Sequence, residues 1–184
     1  MLYLVGGASR SGKSTAAREF ATSRNLPLLK TDVLLKKLIA ERPELGIHYG
    51  LPLTKRGEKV WPVVEAFCID CLEHDVSYVV EGDLIFPAHA NALRKKYRSK
   101  VRACFVGYTE CTPWQKLEQL RKHDGPADWT HGRNANEVLG LAGFSIEFSK
   151  QLQKDCKRYD IAYFDCSTNF IKTVKNVISY LKLP

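Results

Sequence analysis

The sequence predicts an α/β protein built on a five-stranded parallel sheet with helices on both faces. Five short apolar runs have the length and continuity of strands buried on two sides. Segments with apolar residues at helical spacing alternate with them, which is the order a parallel sheet requires. No internal repeat, low-complexity tract or linker divides the 184 residues, so a single domain is expected.

Leu2-Tyr3-Leu4-Val5 is the first run and stops at Gly6-Gly7. Lys13 to Arg24 follows as a helix carrying Ala16, Ala17, Phe20 and Ala21 at helical spacing. Leu26 to Lys30 is the second strand, stopped at Thr31-Asp32, and Val33 to Ala40 is helical again. Gly46, Gly50 and Pro52 make Pro43 to Arg56 a loop, after which Glu58 to His74 returns to helix. Tyr78-Val79-Val80 is the third strand, broken by Glu81-Gly82-Asp83, and Pro87 suits the first turn of a helix reaching Tyr97. Val101 to Val106 is the fourth strand, and Thr112-Pro113 starts a helix to Lys122. Asp124 to Asp128 breaks the chain, and Trp129 to Asn136 is polar and irregular. Phe144 to Lys157 and Asn169 to Leu181 are the last helices, flanking a fifth strand at Ile161 to Asp165.

The densest chemistry lies between the first strand and the first helix. Gly7-Ala8-Ser9-Arg10-Ser11-Gly12-Lys13-Ser14 fits G-x-x-x-x-G-K-[ST] at every fixed position. Its glycines let successive N–H groups converge on a β-phosphate, and Lys13 brings a mobile charge to the β and γ oxygens. Ser14 offers a hydroxyl to Mg²⁺, and the helix behind it points its positive end at the anion. A strand ending at the first glycine and a helix starting at the second are the context this phosphate loop needs. Gly7 through Thr15 is therefore the expected ATP-binding segment.

A carboxylate that positions Mg²⁺ belongs at the end of the strand beside the phosphate-loop strand. Glu81 ends the third run and is the preferred candidate, with Asp83 two residues on. Asp165 ends the fifth, where Cys166-Ser167-Thr168 reads as a turn near the nucleotide base. Asp32 follows the second strand, and ligands of open parallel sheets collect beyond the strands' carboxyl ends. There it serves as a base for a substrate hydroxyl or as a cap for the helix from Val33, and both readings stand.

This layout resembles the adenylate-kinase-like family of P-loop small-molecule kinases over essentially the whole chain. The resemblance rests on the loop at 7–14, an acid after strand two, an acid-Gly pair after strand three and a polar excursion after strand four. It implies a three-layer P-loop NTPase fold with strand order 2-3-1-4-5 and transfer of the ATP γ-phosphate. It also implies that Lys13 and Ser14 serve as the phosphate lysine and the magnesium hydroxyl, with Glu81 in place of the family's aspartate. A mobile lid at 112–137 would carry arginines over the phosphates, with Arg121 and Arg133 in that role; a solvated helix end explains Arg121 equally. The Phe-Pro-Arg that usually follows Asp-Gly in nucleoside monophosphate kinases is replaced by Leu84-Ile85-Phe86-Pro87, without arginine. Thr31-Asp32, Glu81-Gly82 and Tyr163 to Ser167 are more similar to kinases around 2-phosphoglycerate kinase.

Composition agrees with a small enzyme that meets anions. The formal charge is +8, and residues 33–75 bring Lys36, Lys37, Arg42, His48, Tyr49, Lys55, Arg56, Lys59 and Trp61 to the expected acceptor region. A small anionic acceptor bearing a hydroxyl is the expected partner. Arg94-Lys95-Lys96-Tyr97-Arg98-Ser99-Lys100 keeps a nucleic-acid surface, and with it an RNA-end kinase, as an alternative to cations stabilising a helix end. A nucleotide-gated regulatory protein is the alternative outside the enzymes. No run approaches the roughly 20 apolar residues of a membrane span, and the early glycines interrupt any secretory leader. The six cysteines, including the Cys68-x-x-Cys71 pair on a helix, read as buried reduced thiols, so a cytoplasmic protein is expected.

Overall fold

The computed structural model describes residues 1–122 and 131–183. Strands β1 (Leu2–Gly7), β2 (Leu28–Lys30), β3 (Tyr78–Gly82), β4 (Val101–Gly107) and β5 (Ala162–Asp165) form one sheet in the order β2-β3-β1-β4-β5. Every pairing is parallel, and the register sets Val5 beside Glu81 and Gly6 beside Phe105. Helices α1 (Lys13–Arg24), α2 (Thr31–Glu41), α3 (Leu53–Glu73) and α4 (Pro87–Tyr97) connect the first four strands. Helices α5 (Pro113–Lys122) and α6 (Ala135–Arg158) lie between β4 and β5, and α7 (Phe170–Leu181) follows β5.

Alternate side chains of each strand enter opposite layers, which explains the unbroken apolar runs. Leu2, Leu4, Val80, Ala103 and Phe105 pack with Val60, Val64 and Leu72 of α3, Leu93 of α4 and Leu152 of α6. Val5, Val79, Cys104 and Val106 pack with Ala16, Ala17 and Phe20 of α1 and Val174, Val177 and Leu181 of α7. The result is the three-layer arrangement expected from the sequence.

Strand β2 begins at Leu28 and not Leu26, β3 runs on through Glu81 to Gly82, and three helix starts differ by two residues or more. Helix α3 begins at Leu53 and not Glu58, so the expected loop over 43–56 shrinks to a 3₁₀ turn at Pro43–Leu45 and its flanks. Gly57 lies inside α3, and a Cβ there would lie 2.2 Å from Phe86 Cε2, so the glycine serves helix packing. Helix α6 starts at Ala135 and not Phe144: Asn134 Oδ1 accepts from Glu137 N at 2.9 Å, and Glu137 Oε2 accepts from Asn134 N at 3.3 Å. Helix α2 starts at Thr31 with Lys30 as its cap, which removes the capping role considered for Asp32. Asp32 stands in the first turn.

Candidate functional site

The phosphate loop occupies Ala8–Gly12, between the buried end of β1 and the start of α1. Its curvature depends on glycine at two places. Gly7 has φ +145°, and a Cβ there would stand 2.1 Å from Val106 O on the neighbouring strand. Gly12 has φ +91°, and its Cβ would stand 2.5 Å from Phe170 Cε2 at the start of α7. Ala8 N donates to Val106 O at 2.9 Å, tying the loop to β4. Ser9 and Thr15 are partly buried, as are Arg10 and Ser14.

Inside this frame the donors are poorly satisfied. Lys13, 6% exposed, reaches Ala8 O only at 3.4 Å. Ser11 Oγ is fully buried and has no hydrogen-bond partner among the described residues. A buried ammonium and an orphaned hydroxyl at a helix N-terminus fit an incoming anion.

Glu81 lies where the magnesium carboxylate was expected, at the end of the strand directly beside β1. Ser14 Oγ donates to Glu81 Oε2 at 3.0 Å. Burial raises the Glu81 pKa, against the lowering effects of Lys13 and the Ser14 hydrogen bond. Two hard oxygen ligands on one spot suit Mg²⁺, which takes few protein ligands and keeps phosphate and water for the rest. No group of three or more acidic, His or Cys side chains forms an all-protein metal cage among the described residues.

Asp165 is two strands from β1 and is occupied otherwise. It accepts from Thr109 N at 2.9 Å, Thr109 Oγ1 at 2.7 Å and Ser167 N at 2.8 Å. Burial raises its pKa, but these hydrogen bonds together outweigh that and leave it below normal. Its work is to tie the β4–α5 and β5–α7 loops together. These loops and α5 border a cleft of about 300 Å³ lined by Glu110, Cys111, Gln115, Gln119, Lys122 and Ser167.

A second acidic centre adjoins Glu81. Asp83 and Asp32 are close enough for their carboxyl groups to hydrogen-bond, and burial followed by the Asp32 charge raises the Asp83 pKa. Arg56 of α3 and Lys13 act in the opposite direction. The Arg56 guanidinium lies 5.9 Å from the Tyr49 ring centroid, and its buried Nε has no hydrogen-bond partner among the described residues. The sequence reading had Arg56 only as one cation in a long basic stretch. Its place between Leu53 and Val60 on the buried face of α3 is the signal that sets it beside Asp83.

Arg121 is exposed in the last turn of α5, and Arg133 is exposed just before α6. The expected lid break at 124–130 and His123 lie outside the described residues. The basic run at 94–100 leads into the start of β4, opposite the phosphate loop. Arg94 donates to Asp160 O at 2.7 Å and Lys100 pairs with Asp75 at 2.6 Å, so these charges have structural partners. All six cysteines are free thiols, and no helix among the described residues is long and apolar enough to cross a membrane.

No protein-family profile and no curated protein matches the sequence. Solved structures do match. A gluconokinase from Sinorhizobium meliloti superposes with a TM-score of 0.62 at 19% identity, covering 97% of this chain and 90% of that one. A shikimate kinase from Bacteroides thetaiotaomicron gives 0.60 at 15% identity over 100% and 99%. A sugar kinase from a Janibacter species gives 0.61 at 16% identity over 98% and 93%. The chain has the α/β P-loop fold of these small-molecule kinases.

Proposed function

We propose that the protein is an ATP- and Mg²⁺-dependent phosphotransferase that moves the γ-phosphate onto a hydroxyl of a small anionic metabolite. The observation that carries this is the placement of two unlike centres side by side. An anion cradle with the Ser14–Glu81 pair at 3.0 Å adjoins the Asp32–Asp83 carboxyls and Arg56, whose Nε has no hydrogen-bond partner among the described residues. The structural likeness to gluconokinase, shikimate kinase and a sugar kinase supports a hydroxylated acceptor.

In this reading the backbone of Gly7 to Gly12 and Lys13 hold the β- and γ-phosphates, with Thr15 in the same helical turn. Ser14 and Glu81 hold the metal, whose charge offsets that building on the phosphoryl oxygens. Arg56 binds the acceptor's anionic group, and Asp32 accepts the proton of the attacking hydroxyl. Asp83 shares a hydrogen bond with Asp32 and fixes its orientation. Arg121 and Arg133 close over the phosphates from a lid spanning 112–137, and residues 33–75 form the acceptor side of a single 1–184 domain. Reduced, buried thiols and the use of ATP suit a cytoplasmic setting.

The test is ADP release with Mg²⁺ and ATP against a panel of sugar acids, hydroxy acids and phosphorylated polyols. One acceptor should raise turnover, and Lys13→Ala should abolish that rise. If no acceptor does so while nucleotide alters binding to a macromolecule, the protein is a nucleotide-gated regulator and the proposal fails.

A further inference from the structure

Lys116 is 4% exposed on α5, an unusual place for a lysine. Its ammonium sits 3.8 Å from the centroid of the Tyr108 ring, and Nζ donates to Arg10 O at 3.0 Å. Tyr108, 2% exposed, donates its own hydroxyl to Ser9 O at 2.9 Å. Two consecutive carbonyls at the crest of the phosphate loop are therefore drawn outward by donors from β4's end and α5. Neither donor belongs to the loop motif.

In a planar trans peptide the C=O and the following N–H point in opposite directions. Pulling Ser9 C=O outward turns Arg10 N–H inward, and pulling Arg10 C=O outward does the same for Ser11 N–H. Arg10 also holds φ +59°, the left-handed region that a non-glycine residue enters only when its surroundings require it. The ammonium behind the Arg10–Ser11 peptide polarises it, strengthening the N–H on the far side. Burial lowers the Lys116 pKa, with Cys166, Cys111 and Asp165 acting against it and the Arg10 charge adding to it.

We infer that Lys116, with Tyr108, is a positioning residue that holds the phosphate loop in its anion-binding shape from behind. This rests on the loop's proposed role as the nucleotide-phosphate site. It adds that the competent shape is set partly by α5, so the loop and the stem of the expected lid are mechanically joined.

The test is calorimetric binding of pyrophosphate and ATP to the full chain, with urea unfolding in parallel. Lys116→Met keeps the length and apolar stem but removes charge and donor. It should weaken both ligands by about tenfold or more, raise the KM for ATP and leave the KM for the acceptor unchanged. The urea midpoint should hold or rise, because a buried charge is gone. Lys116→Arg, which keeps charge and donor, should recover most of the affinity, and Tyr108→Phe should weaken binding by about threefold to tenfold. A Lys116→Met protein that unfolds cooperatively yet binds pyrophosphate like wild type overturns the inference. If that variant does not fold, Tyr108→Phe decides, and unchanged affinity there overturns it equally. A wild-type protein that binds neither ligand overturns the phosphate-site reading itself.

Discussion

Gly82→Ala should damage the protein through a close contact added to the backbone strain of a side chain at φ +156°, and the structure sets the size of the contact. A Cβ at Gly82 would lie 1.7 Å from Thr31 Oγ1 and 2.9 Å from Thr31 Cβ. Ordinary contact needs about 3.5 Å, so the end of β3 and the start of α2 must separate by roughly 2 Å. Overpacking of that kind costs about 1–3 kcal/mol, and at about 2–4 °C per kcal/mol the melting temperature falls by roughly 2–12 °C. Thr31→Ala removes the oxygen, whose only tie is burial, since it has no hydrogen-bond partner among the described residues. Alone it should cost about 1 kcal/mol or less. The double variant should recover at least about 1 kcal/mol relative to the sum of the single ones. Urea midpoints at constant m measure this. Because Glu81 precedes Gly82 and Asp32 follows Thr31, Gly82→Ala should also raise the acceptor KM, with part of the rise reversed in the double variant. Strict additivity, or a Gly82→Ala protein as stable as wild type, refutes the reasoning.

Glu81→Gln should raise the Mg²⁺ concentration needed for half-maximal turnover by about tenfold or more, while ATP affinity without metal changes little; calorimetry with and without Mg²⁺ separates the two. Asp32→Asn should lower kcat by about a hundredfold with nucleotide affinity nearly unchanged, as steady-state kinetics beside binding would show. His89, stacked on Trp61 at 4.0 Å and accepting from Phe86 N, has its pKa lowered by burial to about 4. The folded state therefore resists a proton that the unfolded chain takes up near pH 6.5, so this stability is present above that pH and is lost on acidification. Between pH 7 and 5 wild type should lose about 2 kcal/mol more than His89→Gln in urea titrations. Among the cysteines, half-buried Cys111 should react first with a thiol reagent in the native protein, and Cys68, raised to about 12 by burial, only on unfolding.

The strands were legible because both faces of the sheet are covered, which leaves each strand a continuous apolar run. The phosphate loop was legible because glycine, lysine and serine are required at fixed spacing. Asp32 was placed correctly beyond β2, but whether it capped a helix depended on Thr31 entering the first turn, which neither residue announces. The early start of α3 was not legible, because a glycine such as Gly57 that makes room for Phe86 looks the same in sequence as one that makes a turn. The Asn134–Glu137 reciprocal cap is a readable signal for the start of α6, although Gly140 and Gly143 just beyond it are weak helix formers. Lys116 and Tyr108 carry no pattern at all: only the fold brings them to the carbonyls of Ser9 and Arg10.

Phe170 against Gly12 has a consequence for the order of events during synthesis. The residues proposed to cradle the anion leave the ribosome before their frame does: β3 follows near residue 80, β4 near 105, and the ring of Phe170 last. An emerging chain thus carries the complete motif long before it carries the pocket. Nucleotide capture by nascent chains of increasing length should appear only once α7 has left the exit tunnel, making ligand binding a timer for the arrival of that helix.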